Sequence, residues 1–162
     1  MKRMSQIGLM VAVAAASAMA LAQNAGTPAK SAAEAKTAIE ARQKLFEDMK
    51  KTMEPIGAML KRQRDIDPAV IATNAGHLKE LAGKIPAQFA VDTRQFKDTK
   101  TDALDGIWAS QADFKSKADV LATAAQNAIT VSATGDKGAT MKALADIGKS
   151  CGGCHDSYKT KT

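Results

Sequence analysis

Aromatic side chains are scarce in this chain of 162 residues: one tryptophan, one tyrosine and four phenylalanines, 4% of the sequence. That is little flat apolar volume for a core of this size, since each buried aromatic covers on the order of 150–250 Å². Cysteine and histidine are as sparse, two of each. No segment offers a convincing strand alternation. The formal net charge is +6, yet no Lys/Arg run is long enough to read as a nucleic-acid patch. Paired carboxylates and a nucleophile–base arrangement are also missing, which points away from enzymatic turnover.

The first residues read as a leader rather than as fold. Lys2 and Arg3 precede an apolar run from Ile7 to Ala16, followed by small residues ending in Ala20-Leu21-Ala22. This is the basic, apolar and small-residue order of a secretory signal peptide. A membrane anchor needs about 20 apolar residues, and Ser17 and Gln23 bound this stretch too closely. Residues 1–22 are therefore expected to be removed, leaving one domain over 23–162 with a net charge of +4. No membrane association is expected after cleavage.

What is present is concentrated near the C-terminus. Cys151-Gly152-Gly153-Cys154-His155 holds both cysteines and one of the two histidines. Cys-x-x-Cys-His is the attachment signature of c-type haem. On a helix, residues three apart share a face, so both thiols can reach the vinyl groups of one porphyrin. His155 can then ligate the iron. A structural disulfide explains the pair poorly, because so short a loop constrains little unfolded-chain entropy. Thioredoxin-like chemistry belongs beside a βαβ pattern, which the chain lacks. A zinc site would need a second pair of ligands. The other histidine, His77, lies off the apolar stripe of its segment and reads as exposed.

Four helices carry the motif. Residues 23–31 read as a disordered lead-in, with Ser31 and Glu34 spaced as a capping box. Ile39, Arg42, Phe46, Met49, Met53, Ile56 and Leu60 recur at spacings of three and four, predicting a helix over 31–62 that bends near Pro55. Asp67-Pro68 opens a second helix, expected to close at 84 before Pro86. Residues 85–101 read as a long connection. A third helix is predicted over 102–128, with Leu104, Ile107, Trp108, Ala112, Phe114, Ala118, Leu121 and Ala125 inward. Ser132 to Gly138 is a turn, and the fourth helix runs from about 138 through the haem motif. The expected fold is all-α, an antiparallel four-helix bundle with haem near the C-terminus. A buried haem would also supply the missing flat apolar volume.

With these elements in place the chain resembles the cytochrome c′ family, the class II c-type cytochromes. The most specific part is the run from Ile147 to Lys159. Arg42-Gln43, and Ile107-Trp108 with Phe114, also match the family's pattern. The resemblance implies a periplasmic protein with one covalent haem c on Cys151 and Cys154, and with His155 as the axial ligand. Arg42 and Gln43 would meet the haem propionates, a role that charge-assisted hydrogen bonding suits. Phe46 falls where the family's side chain covers the distal iron face. Low-spin relatives place a ligating methionine there, and most five-coordinate ones a leucine, methionine or phenylalanine. Phenylalanine has no lone pair to donate, so the iron is expected to be five-coordinate. Met49 is the rival sixth ligand of a low-spin electron carrier. Lys159 stands where many members carry arginine; it keeps the charge but lacks the planar fork.

The implied role is single-electron transfer with periplasmic redox partners. A vacant, apolar sixth site would favour nitric oxide or carbon monoxide over oxygen and anions. A nitric-oxide-buffering haem protein without an electron-transfer role is the alternative of a different class. Dimerisation through the first two helices is common in the family, and the chain itself gives no independent sign of a homodimer.

Overall fold

Four long helices pack as a bundle around an aliphatic core in the computed structural model, which describes residues 26–161. The expected leader lies outside the described residues. Helix α1 spans Ala32–Leu60. The Ser31 side chain accepts from the Glu34 amide at 3.2 Å, and Glu34 reaches back to the Lys30 amide at 2.6 Å, one residue earlier than a standard capping box. The helix continues through Pro55 to Leu60, and the chain turns out of it at Arg62, whose φ of +58° is left-handed. There the Gln63 and Arg62 amides return to the Ala58 and Met59 carbonyls, a Schellman closure made without glycine.

Helix α2 spans Pro68–Gln88, capped by Asp67 with Pro68 in its first turn as expected. It runs four residues past the predicted stop, because Pro86 gives up only its own amide bond and one more turn follows. A single turn, α3 (Gly106–Ala109), precedes helix α4 (Gln111–Ser132), and α5 spans Lys137–Tyr158. The predicted third helix therefore starts nine residues late. Residues 102–104 are held by the chain's C-terminal end instead: the Leu104 amide donates to Tyr158 O at 3.0 Å, and the Thr160 amide to Asp102 O at 2.8 Å. Leu104 and Ala112 consequently face water.

The described part of the lead-in, residues 26–31, is ordered where it was expected to be free. Thr27–Pro28 (β1) pairs in parallel with Val91–Asp92 (β2), inside the predicted long connection. Two residues per strand are too few to leave a period in the sequence. Gly26 makes the approach feasible: its φ is +66°, and a Cβ there would lie 2.7 Å from the Trp108 ring. Ala29 is buried behind the pairing.

Each long helix packs against its neighbour in sequence, while α1 and α5 meet only sparingly. Ile56, Met59, Ile71, Leu78, Ile107, Leu144 and Ile147 are fully buried. The aromatic residues collect at one end. Phe46 on α1, Phe89 just after α2, Phe114 on α4 and Tyr158 on α5 form a continuous row with centroid separations of 6.2, 4.8 and 5.2 Å. Both strands, Trp108 and the Cys-x-x-Cys-His motif sit at that same end, because α1 and α4 start there while α2 and α5 finish there.

Candidate functional site

Cys151 and Cys154 lie on the last two turns of α5, one face and three residues apart. Both are free, half-buried and packed against the hydrophobic core. Burial pushes both thiols up from the ordinary cysteine value. This disfavours the thiolate on which disulfide exchange depends, so the environment is unlike that of a redox-active Cys-x-x-Cys. Gly152 and Gly153 are exposed, and nothing lies within 4 Å of the position a Cβ would take on either. His155 is exposed on the flank of the same face, and its carbonyl accepts from the Lys159 amide at 3.1 Å.

Arg42 is buried on α1, with 3% of its surface exposed. Nε donates to Gln88 O at 2.9 Å, Nη2 to Val91 O at 2.5 Å and Nη1 to Thr93 Oγ1 at 3.1 Å. The guanidinium lies 4.5 Å from the Phe89 ring centroid and 5.3 Å from that of Trp108. All its bonded partners are neutral. Asp92 lies near enough to act through space, but its carboxylate is gripped by Arg94 at 2.6 Å. Desolvation brings the Arg42 pKa down to about 10, with Asp92 opposing the shift. A buried cation without a bonded counter-charge is unfavourable, and among the described residues two of its five N–H donors remain unspent. A carboxylate such as a haem propionate would answer that need, so the donor chemistry of Arg42 fits the group. Gln43, beside it, is exposed and free to turn toward a ligand.

Phe46 is 37% exposed, unusual for a ring whose neighbour Leu45 is buried. Met49, one turn further, packs within the hydrophobic core. His77 is exposed and lies on α2, its Nδ1 3.3 Å from Thr52 Oγ1. Lys159 pairs with Asp102 at 3.4 Å. The fold thus brings Arg42, Phe46 and the Cys-x-x-Cys-His motif to one end of the bundle.

Two further contributors escaped the sequence reading. Phe89 connects Phe46 to the core, and its only signal was spacing: it extends the Leu78, Leu81, Ala82, Ile85 stripe by one step, past a proline read as a stop. Tyr158, near the end of the motif helix, is the other: its hydroxyl donates to Asp113 Oδ2 at 2.6 Å, tying the motif helix to α4. Burial first, then the bond to Asp113, push its pKa up to about 12. The folded state therefore keeps a proton that the unfolded chain loses near its ordinary value of about 10. Stability from this group is complete below pH 10 and is lost as pH rises toward 12. Thermal melts should show the advantage of the natural chain over Tyr158→Phe, about 1 kcal/mol at pH 7, disappearing across that interval.

A helical bundle with paired thiols and a histidine at the end of its last helix, and a buried cation in want of a carboxylate, defines a c-type haem protein. The family model described as Cytochrome C′ matches residues 37–159, and the chain belongs to that family. Cytochrome c′ of Rhodopseudomonas palustris is 31% identical over 126 residues, covering 76% of this chain and 82% of the relative. Among solved structures, cytochrome c prime from Shewanella frigidimarina superposes with a TM-score of 0.68 at 35% identity, covering 78% of this chain and 97% of the other. A nitric oxide complex of a mutant cytochrome c prime from Alcaligenes xylosoxidans gives 0.67 at 28% identity, covering 79% and 97%. The cofactor is accordingly covalent haem c.

Proposed function

We propose that the chain is a periplasmic single-electron carrier whose haem has a vacant sixth site open to nitric oxide or carbon monoxide. The carrying observation is the contrast between Phe46 and Met49. Phe46 is the exposed apolar side chain on α1, whereas the only thioether one turn away is committed to the core. The bound haem supplies one-electron redox chemistry and a site for gases. The chain's own residues would do the rest: Cys151 and Cys154 would tether the group, His155 would ligate its iron, Arg42 and Gln43 would hold its propionates, and Phe46 would keep the open side apolar. Export through the leader at 1–22 places the protein in the periplasm, and no described helix is long and apolar enough to cross a membrane.

The test is spectroscopic. The ferric protein should give a high-spin EPR signal, and the ferrous protein should bind both nitric oxide and carbon monoxide in optical titrations. A low-spin ferric signal would establish a sixth protein ligand, with Met49 the candidate. Voltammetry of the purified protein should give a reversible one-electron couple; an irreversible response would favour gas buffering alone.

A further inference from the structure

We propose that Phe89 is a specificity-determining residue: a fixed backstop that holds Phe46 over the distal side of the haem and so discriminates diatomic ligands from larger ones. This rests on the placement of Phe46 proposed above.

Phe46 and Phe89 are neighbours of opposite character. Phe46 is 37% exposed and leans on Phe89 at 6.2 Å between centroids, the planes 57° apart. Phe89 is 4% exposed and is held from every side. The Arg42 guanidinium covers its face at 4.5 Å, the Phe114 ring meets it edge-on at 4.8 Å, and Trp108 lies at 6.2 Å. Its backbone carbonyl accepts from Trp108 Nε1 at 3.1 Å and Gln111 Nε2 at 3.4 Å, which fixes the chain carrying the ring.

The inward path of Phe46 is therefore closed. Packed interiors yield little to a displaced ring, so Phe46 can move only along the surface or outward. An outward swing exposes the remainder of its apolar area to water, and that penalty grows with the displacement a ligand demands. A diatomic asks for a small shift. A ligand with an alkyl tail asks for a ring's width. Discrimination by size then follows from the rigidity of the residue behind the gate.

The test compares carbon monoxide with n-butyl isocyanide in optical titrations of the ferrous holoprotein. Phe89→Leu leaves room into which Phe46 can retreat, and should raise isocyanide affinity about tenfold while carbon monoxide affinity changes less than about threefold. Phe46→Ala should give a gain at least as large. Ile71→Val, which loosens the core at the opposite end of α2 without touching Phe89 or Phe46, should leave the isocyanide-to-carbon-monoxide ratio within about twofold of the natural protein. A gain in Phe46→Ala without one in Phe89→Leu would overturn the backstop and leave the placement of Phe46 standing. No gain in either would overturn that placement as well. An equal gain in Ile71→Val would reduce the effect to general loosening and overturn the proposal. Should Phe89→Leu fail to fold, Phe89→Met, closer in volume, takes its place with the same expected gain. Ferric EPR of each variant should stay high-spin, showing that only access has changed.

Discussion

Replacing both Cys151 and Cys154 by serine is expected to abolish covalent haem completely. Under denaturing electrophoresis the natural holoprotein should stain for haem, and the double variant should run as bare polypeptide. Either single variant keeps one thioether and should stain with reduced yield. The expectation follows from the geometry of α5: the two half-buried thiols share a face, and serine oxygen forms no equivalent bond to a vinyl group. Haem stain persisting in the double variant would sink the assignment of these residues. The same experiment separates tethering from folding. The core of Ile56, Ile71, Leu78, Leu144 and Ile147 is fully buried while the two sulfur atoms only pack against it, so far-UV circular dichroism should still report a helical protein.

Arg42→Met should destabilise the protein by about 3 kcal/mol. Methionine keeps the buried stem but strands Gln88 O, Val91 O and Thr93 Oγ1, which Arg42 alone satisfies from α1. At this chain length such a loss corresponds to a fall in Tm of roughly 10 °C. Arg42→Lys should recover less than half of it, since an ammonium cannot span three acceptors in the planar arrangement a guanidinium offers. The damage should begin locally. Val91 belongs to β2, so releasing it frees β1, and the amides of Thr27 and Ala29, bonded to Ala90 O and Asp92 O, should exchange hydrogen fastest. Unchanged protection at those two amides would show that Arg42 does not hold the strand pair.

These outcomes depend on features of unequal visibility in the sequence. The motif and the four helices could be read directly, because haem attachment has a fixed spacing and helix caps such as Asp67-Pro68 are local. Phe46 could be placed by resemblance alone. The strand pair could not be read, since two residues carry no period and their partners are 64 residues apart, Thr27 against Val91. The late start of α4 was hidden for a similar reason. Residues 102–104 have helical composition, and only their bonds to Tyr158 and Thr160, supplied by the far end of the chain, withdraw them. The resemblance marks Arg42 as a propionate partner, but its bonds to the turn after α2 depend on carbonyls whose direction no residue type announces.

The crowding of aromatic rings at one end also decides what light can report about this protein. Trp108, Tyr158 and the phenylalanine row are all close to the haem motif, while the opposite end, where α1 turns into α2 and α4 into α5, is built from methionine, isoleucine, leucine and alanine. Fluorescence and near-UV circular dichroism are therefore blind to that end. Opening there would register only in the far-UV signal of the helices, so a far-UV transition that precedes the fluorescence transition on heating would locate the first fraying at the aliphatic end, away from the cofactor.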